Sequence, residues 1–312
     1  MTQVAITGAT GRLATAIMPV LFNTPIHWTS VSRQAGEGLV SYDDFLKRDQ
    51  ESLDAIVHMA WSSVPVSAEA DPSLAWNQDF PLIERLLGAR LIRPGGKFVF
   101  ISSAGTVYGD THGEIITENH PLRPVGQYGA AKVYAESLVT HYANIHGVHS
   151  AVLRVTNPYG FASRSGTPQG VIGFALAAAL SGKTFEIWGD GLLPKDYLFI
   201  DDLASAILRA VCDPLEGIFN IAGGTSITLL QILDLVSTVT GQTLNTKHLP
   251  GNPWDAGQGT IIWDKFKTSC GWTPKVDLVT GLSLQWQAMR GETQPPCDIG
   301  HPQSSLRRSL PQ

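Results

Sequence analysis

Cysteine is scarce and poorly placed for metal work. Cys212, Cys270 and Cys297 are the only three, and an odd number without ligand spacing points away from a zinc site or a disulfide framework. Reduced thiols of an intracellular protein fit better. Charge is also sparse, at 16% of residues, with no basic surplus: the formal net charge is -5 and the isoelectric point near 6.0. Such a chain has no general attraction for nucleic acid or anionic lipid, so neither is an expected partner. The longest apolar run, Val171 to Leu180, is too short to span a bilayer. No basic segment followed by an apolar stretch opens the chain, so no secretory signal is read and a cytoplasmic location is expected. A Gly-x-Ser-x-Gly elbow and a P-loop are both missing, which leaves hydrolase and kinase readings without an anchor. The histidines, His141 and His146 among them, have uneven spacing, and no metal is expected.

Hydrophobic residues make up 43% of 312, enough to bury a large core. Short apolar runs at Val4–Ile6, His27–Val31, Ala55–Ala60, Lys97–Ser102 and His149–Arg154 read as strands. Helical patterns lie between them, including Leu82, Ile83, Leu86 and Leu87. Strands alternating with helices predict an α/β fold, a doubly wound parallel sheet of Rossmann type covered on both faces. After Asn157-Pro158-Tyr159-Gly160 the texture changes, and Gly217–Ala222 reads as a strand returning to the sheet. The expected division is residues 1–158 plus 196–222 for the nucleotide-binding domain. Residues 159–195 plus 223–290 form a smaller mixed α/β substrate lobe, and 291–312 a flexible tail rich in Pro, Gln, Ser and Arg.

The first strand runs into Gly8-Ala9-Thr10-Gly11-Arg12-Leu13-Ala14. Glycine at 8 and 11 allows a tight turn and close approach of backbone to a pyrophosphate, and the following helix N-terminus supplies amides. Ala14 is small enough for close helix–strand packing. Gly8, Thr10, Gly11, Arg12 and Leu13 are therefore candidate dinucleotide ligands. NAD sites usually place an acid at the end of the second strand, where this chain has Val31-Ser32-Arg33. Ser32 and Arg33, with Arg12, suit a 2′-phosphate, so NADP(H) is favoured and NAD(H) kept as the alternative.

Tyr128 and Lys132 stand four apart, hence on one face of a helix. A tyrosine with a pKa near ~10 is a poor base at neutral pH. A neighbouring ammonium favours the phenolate and is expected to draw the hydroxyl toward useful acid–base strength. Beside a dinucleotide, such a pair suits oxidation of a secondary alcohol or reduction of a ketone.

These residues together resemble the extended short-chain dehydrogenase/reductase family, in its nucleotide-sugar epimerase/dehydratase group. Further matches follow in chain order: Asp54–Ala60, Ser102–Gly109, Leu153–Gly160, Gly189-Asp190-Gly191, Lys195–Ala204, Gly271–Pro274 and Gly281-Leu282. The resemblance covers roughly residues 3 to 290. It implies Tyr128 as the acid–base, Lys132 as its modulator and a ribose ligand, and Met59 and Ala60 beside the cofactor. It places Asn157 against substrate, the segment from Val171 over the nucleotide, and Lys195, where relatives usually carry arginine, near a substrate phosphate. Two positions depart from the pattern. The family's catalytic hydroxyl falls on Ala104, leaving Ser103, the preferred substitute, and Thr106 on either side, and Asp79 stands where an asparagine is usual.

The activity implied is C4 epimerisation of a nucleotide-activated sugar through a transient 4-keto intermediate. An NADPH-dependent 4-keto-sugar reductase is the runner-up, which Arg33 favours. A dinucleotide-binding sensor without turnover is a third reading, kept open by Ala104. A 4,6-dehydratase is disfavoured, because Gly105-Thr106 stands where that chemistry wants an Asp-Glu pair. The partner expected is a small-molecule nucleotide sugar, and the family implies a homodimer paired through two helices.

Overall fold

The computed structural model describes residues 1–111, 113–161 and 168–292. The expected tail falls outside the described residues from 293 onward, as do Cys297 and most of the loop after Phe161.

Seven parallel strands form the central sheet: β1 (Gln3–Thr7), β2 (His27–Ser32), β3 (Leu39–Ser41), β4 (Leu53–His58), β5 (Ile92–Ser103), β6 (His149–Val155) and β7 (Gly217–Ile221). Their order is β7-β6-β5-β4-β1-β2-β3, every pairing parallel. Six of the seven are legible as apolar runs, and the three-residue β3 is not. The chain winds outward from β1 to β3 and then reverses to β4, so β1 and β4 flank the switch point where such sheets open a crevice.

Period-two alternation divides each strand between two cores. Val4, Ile6, Val57, Val99 and Leu153 face one side, with Ile17 and Leu21 of α1 (Arg12–Phe22). Ala5, Ile56, Phe98, Phe100 and Val152 face the other, with Ile83, Leu86 and Leu87 of α2 (Phe80–Gly88) and Val139 of α3 (Gln127–His146). A polar side chain is buried at the edge of this packing. Lys97, on β5 and 6% exposed, donates to the carbonyls of Ala210 (2.7 Å) and Asp213 at the end of α4 (Ile200–Cys212). It thereby satisfies acceptors that the helix leaves open.

The smaller part has its own three-stranded sheet. Pro194–Phe199 lies at its centre, parallel to Asn157–Tyr159 and antiparallel to Ser226–Thr228. Phe185–Trp188 pairs separately with Thr246–Leu249. Asp202, in the first turn of α4, makes a tertiary link: its carboxylate accepts from the Lys275 and Val276 amides, both at 2.9 Å.

Candidate active site

The glycine loop leaves β1 and packs directly on the end of β4. Gly8 has φ +74°, and a Cβ there would fall 2.6 Å from Ala60 Cα, so only glycine fits. The Tyr42 hydroxyl accepts from the Gly8 amide at 3.0 Å, a brace the sequence reading missed. No side chain caps α1 at Gly11, which leaves first-turn amides for an anion. These features fit a dinucleotide pyrophosphate. Thr10, Gly11 and Arg12 are exposed, and Leu13 and Met59 partly buried.

Below the loop, Thr7 Oγ1 and His58 Nδ1 lie 2.7 Å apart. His58 is fully buried. Burial, helped by the charge of Lys132, pulls its pKa down to about 3, so the ring is neutral and structural.

At the end of β2 the two expected 2′-phosphate ligands differ. Ser32 is buried, and its hydroxyl donates to the Gln34 carbonyl, so that proton is already engaged. Arg33 is exposed, with no ion pair among the described residues.

Tyr128 and Lys132 share the first turns of α3. Glu69, from the short helix Pro65–Ala70, accepts from the Gln127 amide and supplies a negative charge at the positive helix end. Gly129 lets this turn close on the short helical turn that follows β5: a Cβ there would sit 2.5 Å from the Thr106 carbonyl. Lys132 is 4% exposed and donates to Ile101 O at 2.9 Å. Its ammonium nitrogen lies 3.7 Å from the centre of the Trp61 ring, 4.8 Å from Phe100 and 5.8 Å from Tyr128. Trp61 also meets Tyr128 edge-on at 6.3 Å. Trp61 thus joins both members of the pair, and only its place directly after Met59-Ala60 could have flagged it.

Electrostatics here run partly against expectation. Burial, then the Asp79 carboxylate, push the Tyr128 phenol well above its ordinary range. The resting hydroxyl is therefore protonated, because desolvation acts on the phenolate. Burial pulls Lys132 down to about 7, although Asp79 and Glu136 oppose it. Asp79 ends a widened π-helical turn, Ala75–Asp79, a feature frequent at functional sites. Its oxygens accept from Ser62 N and Ser62 Oγ, both at 2.8 Å, and burial raises its pKa.

Glu136, one turn beyond Lys132, is held by Arg154. The guanidinium donates to Glu136 from Nη2 (2.6 Å) and Nε (3.0 Å), and from Nη1 to the Tyr108 hydroxyl (3.0 Å), which donates to Asn220 Oδ1 (2.6 Å). All four side chains are buried.

Ala104 opens a short helical turn, 1% exposed. Ser103, half-buried, has a hydroxyl free of partners among the described residues, and Thr106 Oγ1 is buried without one. Asn157 Nδ2 donates to Asp196 O at 2.7 Å. Asp196 is itself fully buried, bonded to the Gly223 and Thr225 amides, and burial pushes its pKa up to about 6. Lys195, expected at a substrate phosphate, instead pairs with Asp255 and donates to Ala256 O (2.6 Å), so any phosphate must compete with a carboxylate. Val171 lies in the first turn of the helix Gly170–Ser181, partly buried against the core.

The model of the NAD dependent epimerase/dehydratase family matches residues 4–222. The chain belongs to this family. The chain is similar to the UDP-glucose 4-epimerase of Mycolicibacterium smegmatis, 28% identical over 212 residues, which are 67% of this chain and 66% of that one. The UDP-glucose 4-epimerase of Azospirillum brasilense is 28% identical over 287 residues, 85% of this chain and 81% of that one. The match spans just under two thirds of the Mycolicibacterium protein, and 65% of a Methanocaldococcus jannaschii relative. The structure of a Thermus thermophilus UDP-glucose 4-epimerase complexed with NAD superposes with a TM-score of 0.81 at 23% identity, covering 94% of this chain and all of that one. That likeness shows that the family fold is kept.

Proposed function

We propose that the protein is a nucleotide-sugar C4 epimerase, working through a transient 4-keto sugar. One arrangement carries the reading: a protonated Tyr128 beside Lys132, both closed over by Trp61, next to a glycine loop shaped for a pyrophosphate. A bound nicotinamide dinucleotide supplies reversible hydride exchange. Tyr128 must first release its own proton to solvent; as phenolate it takes the proton of the C4 hydroxyl and later returns it. Lys132, anchored on the Ile101 carbonyl, holds the cation that a forming phenolate needs. Ser103, whose hydroxyl has no partner among the described residues, is the group we place opposite the substrate oxygen at the position left by Ala104.

NADP(H) is the cofactor form we propose, now resting on Arg33 and Arg12, both exposed cations, without help from Ser32. Arg33 is also what favours the reductase alternative. UDP-galactose given to the purified protein with added cofactor should yield UDP-glucose with no net change at the nicotinamide band. Steady depletion of NADPH by a 4-keto sugar would transfer the assignment to the reductase. Tyr128→Phe should lower turnover by about 10²–10⁴ and leave cofactor affinity nearly intact.

We also propose a homodimer paired through α2 and α3. Trp76, in the turn just before α2, and Tyr134 of α3, 62% and 45% exposed, pack together with ring centres 5.3 Å apart. Sedimentation at protomer mass would remove it. No helix among the described residues is long and apolar enough to cross a membrane, and a cytoplasmic location goes with this reading.

A further inference from the structure

Ser103, Gly105 and Asn157, all partly exposed, border a polar niche beside Gln258. A Cβ on Gly105 would stand 2.9 Å from Gln258 Nε2, 3.5 Å from Asn157 Oδ1 and 3.8 Å from Ser103 Oγ. Gln258 is 3% exposed and reaches this point from far along the chain. Its Nε2 donates to Gly105 O at 2.7 Å, and its Oε1 accepts from Asp196 N (3.3 Å) and Asn157 Nδ2 (3.4 Å). Its backbone is pinned as well, the amide to Pro194 O (2.8 Å) and the carbonyl by the Ser226 hydroxyl (2.9 Å).

An amide side chain has one donating and one accepting end, assigned by what each faces. Gln258 must turn its NH2 to the Gly105 carbonyl and its oxygen to two N–H groups. Asn157 then has no choice either, because its inner end faces two acceptors, Asp196 O and Gln258 Oε1. Its NH2 points inward, and Oδ1 is the end toward Gly105 and Ser103.

We propose that Gln258 is a positioning residue that locks Asn157 as a hydrogen-bond acceptor, so that this niche selects a donating sugar hydroxyl. The inference rests on the nucleotide-sugar reading and deepens it. A carboxylate or phosphate oxygen brings only lone pairs and would meet the lone pairs of Asn157 Oδ1, so the niche takes a neutral hexose hydroxyl rather than an acidic group. The Ser103 hydroxyl, which has no partner among the described residues, supplies the second contact.

The test titrates UDP-glucose and its 2-, 3- and 6-deoxyfluoro analogues into the wild-type protein, Gln258→Leu and Gln258→Glu, each loaded with cofactor. Fluorine cannot donate, so at one ring position the wild type should bind the analogue about tenfold more weakly than the parent. In Gln258→Leu the Asn157 amide loses one of the two acceptors that orient it and keeps only the Asp196 carbonyl, so that preference should shrink to within about threefold. Gln258→Glu keeps both acceptors for Asp196 N and Asn157 Nδ2 and should retain the preference even if overall affinity drops. Equal loss of parent and analogue in both variants, or no sensitive position in the wild type, overturns the proposal while leaving the epimerase reading intact. Failure of the wild type to bind UDP-glucose at all overturns both. Should Gln258→Leu not fold, Asn157→Asp decides: a carboxylate facing two acceptor oxygens should weaken UDP-glucose by about 100-fold, and unchanged binding overturns the lock.

Discussion

Lys132 lies between opposing influences, and their balance is measurable. Desolvation favours the neutral amine, whereas the Asp79 and Glu136 carboxylates favour the ammonium, with the outcome near 7. Asp79→Asn removes one of the supporting charges, so the Lys132 pKa should fall further. Titration of the lysine Cε resonance by NMR in the cofactor-free protein checks this, and a value that rises or stays fixed would exclude Asp79 as a support. The linkage has a definite sign. The unfolded lysine keeps its proton to about 10.4, so the unfolded chain binds more protons between about pH 7 and 10.4. This group therefore makes stability rise with pH across that window. Among single residues, Tyr128 and Lys132 are legible from their spacing alone. Trp61 and Gln258 are not, because their roles arise only when distant segments meet: the Gln258–Gly105 bond joins residues 153 apart.

Helices and strands present a similar division. Apolar periodicity locates α2 and six strands, since burying a face imposes that period on the sequence. It says nothing of polar struts. Asp202 lies in the first turn of α4, yet it bonds to Lys275 and Val276, over seventy positions away. Likewise the acid at the start of α3 is Glu69, from another helix. The strongest such strut ties α3 to β6. Arg154→Met would strand the Glu136 carboxylate in a buried setting, and breaking a buried pair from one side costs about 3–5 kcal/mol. A urea unfolding midpoint close to wild type would mean that Glu136 finds another partner. Glu136→Gln paired with Arg154→Met should recover much of the loss.

The assembled molecule explains why cofactor preference is harder to read than fold. Sheet order follows from alternation of strands and helices, but phosphate discrimination depends on which side chains remain uncommitted once the chain is folded. Ser32 is committed to Gln34, whereas Arg33 is exposed and has no ion pair among the described residues. Arg33→Ala should therefore weaken NADPH by about tenfold and leave NADH nearly unchanged, as read by quenching of protein fluorescence. Equal loss for both would remove the 2′-phosphate role.

Lys97 offers a practical use of the folded core. Its amine is held between β5 and the end of α4 and is shut away from reagents. Acylating labels can reach it only when strand and helix part, so its labelling rate counts excursions through large-scale opening. Mass spectrometry of that one peptide would then report how a cofactor or sugar stills the whole sheet, with no engineered probe.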